Sequence, residues 1–119
     1  MKVRWALVIA WALLIEGLLV WPHPPELPAA YSFAGIDKVV HVTLFGVLGV
    51  LTARALRPDA PWWAAVVGAV LFGALTELEQ HVIPTRSMEL GDLLADSTGA
   101  LIGVALWTVW ALRRRELRR

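Results

Sequence analysis

Four long apolar stretches separated by short polar breaks constrain this chain more than any other feature. They run over residues 5–21, 39–56, 61–80 and 92–112. Each is close to the ~20 residues that a helix needs to cross the hydrocarbon core of a bilayer. The strict alternation of a half-buried strand is absent. In lipid every backbone N–H and C=O must be paired within the chain, which leaves helices or a closed barrel. The breaks carry the chemistry of helix ends: Trp21-Pro22-His23-Pro24-Pro25, Arg57-Pro58-Asp59 with Pro61, and Ile83-Pro84-Thr85. Proline removes a backbone donor and clashes with the preceding turn, so each cluster stops a helix. Trp5, Trp21, Trp62, Trp63, Trp107 and Trp110 lie near the predicted ends, where amphipathic rings favour the membrane interface. The expected fold is all-α, an integral membrane four-helix bundle occupying residues 1–119 as one domain.

Composition supports this and excludes other classes. Hydrophobic residues make up 58% of the chain and charged residues 18%, against about 25% charged in a soluble domain. A chain of 119 residues has room for one unit, which excludes a soluble enzyme with a separate cofactor domain. With no cysteine, a disulfide-stapled secreted module is excluded as well. One alternative for the N-terminus is a cleaved signal peptide, since Lys2 and Arg4 precede an apolar run. Glu16 interrupts that run, and three remaining spans would put the basic loop ends on opposite sides.

Orientation follows from the lysines and arginines. Lys2, Arg4, Arg54, Arg57, Arg113, Arg114, Arg115, Arg118 and Arg119 all fall on one side of four spans. That side is expected to be cytoplasmic, placing both termini inside the inner (cytoplasmic) membrane. The C-terminal arginines read as a topology anchor and a contact for anionic headgroups, with no nucleic-acid partner expected. The acids are distributed the other way. Glu26, Asp37, Glu77, Glu79, Glu89 and Asp92 fall outside, Glu16 and Asp96 lie in the outer parts of their helices, and Lys38 and Arg86 are the external cations.

Three segments meet at that outer face. Asp37, Lys38 and His41 open the second helix with spacings that put them on one face. Read separately, Asp37 caps the helix, Lys38 snorkels and His41 is a satisfied buried group. Glu77, Gln80 and His81 share a face at the end of the third helix. A carboxylate there opposes the helix dipole and needs another reason to be present. Glu79 points elsewhere and reads as solvated. The third segment runs from Pro84 through Arg86 and Ser87 to Asp92, with Asp96 one turn deeper. Asp92 and Asp96 lie on a face that continues through Gly99 and Gly103, whose small size lets helices approach closely. Ionisable groups at membrane depth are costly and face the bundle interior with partners.

In these motifs the chain resembles the VanZ-like family, named after a protein associated with teicoplanin resistance. The resemblance covers residues 36–106 and rests on Asp37-Lys38-x-x-His41, Glu77-x-x-Gln80, Pro84-x-Arg86-Ser87 and Asp92-x-x-x-Asp96-x-x-Gly99. Two positions depart from the family pattern: Asp96 stands where asparagine is usual, and Thr85 where glycine is common. The added charge at Asp96 is expected to be protonated or paired with Arg86 or Lys38. The resemblance implies a multi-span membrane protein with an external polar cluster and supplies no reaction.

The candidate catalytic residues are Asp37, His41, Glu77, Arg86 and Asp92, with Lys38, Gln80, Ser87 and Asp96 as substrate-binding residues. One reading is a binding site for an anionic lipid headgroup or a lipid-linked wall precursor, with Arg86 suited to bidentate phosphate contacts. Another is an enzyme on such a substrate, with His41 as acid or base and its tautomer set by Asp37 or Glu77. The expected partners are membrane lipids; no cofactor is expected. A metal version would use His41, Glu77, His81 and Asp92, but no paired-ligand motif is present and Lys38 and Arg86 disfavour a cation. Two further alternatives are a small proton-coupled multidrug exporter using Glu16 and a cluster that merely locks helix ends together. The exporter reading leaves the outer cluster without a purpose, and Glu16 can instead pair with Lys38 or Arg86.

Overall fold

The computed structural model describes residues 2–23, 28, 34–85 and 87–118, so the expectations placed on Glu26 and Arg86 lie outside the described residues. Four helices follow one another: α1 (Lys2–Leu19), α2 (Ile36–Ala55), α3 (Trp62–His81) and α4 (Leu90–Glu116). They account for all regular structure among the described residues. The breaks fall at the proline clusters, but the bounds shift. Gly35 adopts φ 88°, a left-handed conformation open to glycine, and α2 starts directly after it. Asp37 therefore lies within the first helical turn instead of capping it. There its charge still favours the positive end of the helix dipole. At the other extreme α4 runs past 112 to Glu116, with Arg113, Arg114 and Arg115 in its last turn, where cations suit the negative end of the dipole.

Among the described residues three helices, α2, α3 and α4, are long and apolar enough to cross a bilayer. That is one fewer than the four spans expected. The 18 residues of α1 include Lys2, Arg4 and Glu16, so its one 18-residue stretch carries three charges, whereas each longer helix contains an 18-residue stretch with at most two. Helix α1 joins the bundle by packing mainly on α2. The Trp11 indole Nε1 donates to the Leu44 carbonyl at 2.9 Å. Ile15 and Leu19 are buried with Leu44, Phe45 and Leu48 of α2, Ala69 of α3 and Ala100 of α4.

The distribution of side chains inverts that of a soluble bundle. Leu13, Leu71 and Leu106 are each more than 60% exposed, while His41, Thr76, Glu77, Gln80, Asp92 and Asp96 are buried. Large apolar groups outside and ionisable groups inside is the arrangement that a hydrocarbon solvent demands. The hydroxyls comply too. Thr43, Ser97, Thr98 and Thr108 each bond back to the carbonyl four residues earlier, at 2.7–2.8 Å, so none presents an unpaired donor to lipid.

The largest interface is between α2 and α4, and it is made of backbone. A Cβ added at Gly99 would collide with the Val42 carbonyl, one at Gly103 with the Gly46 carbonyl, and one at Gly49 would lie 2.5 Å from the Ala100 carbonyl oxygen. Small residues four apart on one helix let the two backbones approach to this degree. Helices α2 and α4 run parallel, since Lys38 meets Asp92 and Val42 and Gly46 meet Gly99 and Gly103, while α1 and α3 run the other way, and two ends of opposite character form. At one, the start of α1, the end of α2, the start of α3 and the end of α4 border an open cavity of about 440 Å³ lined by Arg4, Arg54, Arg57 and Arg115 with Trp62 and Trp107. The other end gathers the buried polar residues.

Gly103→Ala is expected to destabilise the protein by about 3 kcal/mol, the upper range for overpacking a tight contact. Gly68→Ala, whose Cβ would meet nothing within 4 Å, should be neutral or stabilising by up to ~1 kcal/mol. Thermal unfolding in detergent measures both.

Candidate functional site

The polar end is assembled from the first turns of α2 and α4 and the last turns of α3. Helical spacing puts Lys38 and His41 on the side of α2 that faces α4. Lys38 reaches outward along the rim, where its ammonium contacts Asp92 Oδ1 at 2.5 Å, Asp37 Oδ2 at 2.7 Å and Glu89 Oε2 at 2.8 Å. Gly91 makes room for this reach: a Cβ there would lie 3.1 Å from Lys38 Cε. His41 turns inward, and its Nδ1 lies 2.8 Å from Asp96 Oδ1. The opposite ring nitrogen, Nε2, is 3.9 Å from Asp92 Oδ2.

Glu77, near the C-terminus of α3, has a reason for its place after all. Its Oε2 accepts the backbone N–H of Glu89 at 3.0 Å, and Glu89 is the residue that caps the start of α4. The carboxylate thus serves the positive end of the neighbouring helix rather than opposing its own. Gln80 is buried one turn on, and its Nε2 donates to the Leu19 carbonyl at 2.7 Å. It ties α3 to α1, so its amide nitrogen is spent on the fold. Thr85 ties the following loop to the same end of α1 by donating to the Pro22 carbonyl at 2.7 Å.

Several expected pairings are replaced by others. Asp96 pairs with His41, not with Lys38, because Lys38 is held at the rim by three carboxylates. For the same reason the histidine tautomer is governed by Asp96 instead of Asp37 or Glu77. Asp37 joins the network only through Lys38, with its side chain 54% exposed. Glu16 does not meet Lys38; its side chain meets Glu79 of α3, which is accordingly half-buried rather than solvated. His81 and Ser87 are exposed, Ser87 in the loop before α4.

Two residues of the site carry no mark in the sequence motifs. Glu89 is central, since its side chain holds Lys38 and its N–H holds Glu77. Its loop position among several acids conceals this. Gly73 is the second: a Cβ there would lie 3.0 Å from Asp96 Oδ2 and 3.2 Å from the Phe45 ring. The spacing Gly73-x-x-x-Glu77, one turn apart on the face of α3 that meets α4, is the signal that could have found it.

Among the described residues, two groups have donor atoms close enough together to hold an ion. Asp37, Glu89 and Asp92 form one, already drawn around the Lys38 ammonium. His41, Glu77 and Asp96 form the other, all buried. Within this second group Glu77 Oε1 and Asp96 Oδ2 are buried and have no hydrogen-bond partner among the described residues. Such orphaned acceptors are few in a folded chain.

Removing one member of a buried ionic pair leaves an uncompensated charge, whereas replacing both members by apolar groups is often close to neutral. His41→Phe should therefore destabilise by about 3–5 kcal/mol, and His41→Phe with Asp96→Leu should recover most of that loss. A double variant no more stable than the single one, in thermal unfolding, would mean that the pair carries no such coupling.

No curated protein and no solved structure matches the chain. A sequence model described as VanZ/LLP1 matches residues 5–111, a wider span than the 36–106 that carried the resemblance. On that match over nearly its whole length, the chain belongs to the VanZ/LLP1 family.

Proposed function

We propose that this protein lies in the cytoplasmic membrane with both termini inside and uses the polar end of its bundle, on the outer side, to bind and act on an anionic envelope lipid or lipid-linked wall precursor. The arginine-rich end supports the orientation. Arg4, Arg54, Arg57 and Arg115 around a cavity that also holds Trp62 and Trp107 match the cytoplasmic excess of cations and the interfacial preference of tryptophan. The single observation that carries the functional reading is the His41–Asp96 pair, buried at the membrane boundary against Glu77 and Asp92. A histidine fixed through one ring nitrogen by a carboxylate is oriented for chemistry at the other. A simple lock between helices has no need of four buried ionisable groups, since burying ions is poor stabilisation.

The substrate class follows from place and charge. A site at the end of a lipid-facing bundle meets headgroups, and Arg86 and Ser87 fall in the sequence between α3 and α4. Guanidinium is suited to paired contacts with phosphate, and Lys38 stands at the rim with its ammonium already shared by Asp37, Glu89 and Asp92. Glycopeptide tolerance, the phenotype of the protein that gives the family its name, is consistent with an action on wall precursors.

Envelope lipids and lipid-linked precursors are to be compared by mass spectrometry in cells making wild type or the His41→Ala/Arg86→Ala variant at equal membrane abundance. The expected result is a phosphate-bearing species that accumulates or disappears only with wild type, or one that copurifies with it alone. Identical profiles and identical copurifying lipids would refute the reading. The absence of native cysteine makes orientation simple to test. Ser87→Cys should react with a membrane-impermeant thiol reagent in intact cells, and Leu117→Cys only after the cells are opened.

A further inference from the structure

We propose that His41, Glu77 and Asp96 hold one divalent transition-metal ion, zinc or manganese, at the centre of the polar end. The inference rests on the function proposed above for what the ion serves, but its own grounds are geometric. The three residues come from three helices, α2, α3 and α4, and their donor atoms lie within 4.8 Å of one another. Glu77 is 1% exposed and Asp96 0%.

The two carboxylates divide their oxygens in the same way. Glu77 gives Oε2 to the Glu89 N–H at 3.0 Å, and Asp96 gives Oδ1 to His41 at 2.8 Å. The other oxygen of each, Glu77 Oε1 and Asp96 Oδ2, is buried without a hydrogen-bond partner among the described residues. For Glu77, one atom pinned by a group outside the ligand set and one held free is the arrangement of a metal ligand with its outer support, while Asp96 Oδ1 touches His41, itself one of the three ligands. Gly73 keeps the space beside Asp96 Oδ2 open, because a Cβ there would crowd that oxygen at 3.0 Å.

Charge leads to the same place. Lys38 is surrounded by Asp37, Glu89 and Asp92, so its cation is committed at the rim. Glu77 and Asp96 together carry two formal negative charges next to a histidine, and a dipositive ion balances them. Mixed imidazole and carboxylate donors suit zinc and manganese, whereas magnesium favours oxygen and retains its water. Three protein ligands leave coordination positions for a phosphate oxygen. This answers an electrostatic difficulty of the proposed substrate, since Asp37, Glu77, Glu89, Asp92 and Asp96 would otherwise repel an anionic headgroup. With the ion bound, His41 would give it the ring nitrogen that faces Asp96, and the proton of their hydrogen bond would be released. The set differs from the one expected from sequence, with buried Asp96 in place of exposed His81 and of Asp92, whose Oδ1 is held by Lys38.

The test uses full-length protein purified in detergent without a metal-chelating tag. After stripping with chelator, zinc or manganese is titrated and followed by thermal unfolding and by elemental analysis of dialysed protein. The expected result is about one ion per chain and a raised Tm with zinc or manganese but not with magnesium. Glu77→Gln and Asp96→Asn should each weaken binding by at least ~10-fold, the lower range for losing a ligand or its support. Asp59→Asn, at the opposite end, should bind as wild type does. Should a variant fail to fold, the stripped wild type alone decides the matter through its Tm and stoichiometry. No stoichiometric ion and no Tm shift would overturn the inference and leave a proton or a water as the occupant of the two oxygens. Ion binding with unchanged envelope lipids would keep the metal site and refute the lipid reading. Lipid that copurifies with wild type while the stripped protein binds no stoichiometric ion would do the reverse.

Discussion

The close approach of α2 to α4 governs everything at the polar end. Gly99 and Gly103 on one helix face Val42 and Gly46 on the other so tightly that no Cβ fits between the backbones. Lipid supplies no hydrophobic force to press helices together, so packing at small residues has to hold the pair. The same approach decides which side chains meet. His41 lies one residue before Val42, and Asp96 lies three residues before Gly99. Bringing the backbones together at that register therefore sets the imidazole against the carboxylate at 2.8 Å. The Asp96 pairing is thus a consequence of the glycine seam, and a looser interface would leave both ionisable groups without partners in a medium that cannot solvate them.

Two layers of charge result. The outer layer is Lys38 with Asp37, Glu89 and Asp92, at the rim and partly exposed. The inner layer is His41 with Asp96 and Glu77, fully enclosed. Asp92 spans both, with Oδ1 on Lys38 and Oδ2 facing His41 Nε2 at 3.9 Å. Partly exposed ion pairs add little to stability, and buried ones can cost more in desolvation than they return. Their value lies in position: Lys38 draws the start of α4 onto α2, and Glu77 secures that start from the α3 side through the Glu89 N–H. Gln80 and Thr85 then fasten α1 to the same end through the Leu19 and Pro22 carbonyls. These few polar contacts give the inner layer its fixed geometry.

Much of this is legible in the amino-acid sequence. Periodicity and proline punctuation locate all four helices, and the spacing of Asp37, His41, Glu77, Asp92 and Asp96 marks the faces that converge. Partnership is not legible there. Lys38 has several acids within reach of its flexible stem, and nothing in the linear order says that it takes Asp37, Glu89 and Asp92 together. Glu89 looks like one more loop acid because its backbone N–H, the atom that matters to Glu77, has no signature in sequence. Gln80 looks like a binding group, yet its amide is used on Leu19. The charge of α1 is visible in Lys2, Arg4 and Glu16, while the contact of Glu16 with Glu79 depends on how α1 leans on α3.

The sequence by itself determined the solvent this protein is built for and the number and kind of its elements. Hydrophobicity and backbone hydrogen bonding are local properties that a linear chain already contains. It determined as well that one end is rich in arginine and the other in acids, since that follows from the alternating direction of successive helices. Only the tertiary structure decided which acid holds the histidine, which ones hold the lysine, and which two carboxylate oxygens remain buried and unpaired. Those outcomes turn on distances of a few ångströms between residues far apart in the chain, set by backbone contact at Gly99 and Gly103 that no local pattern specifies.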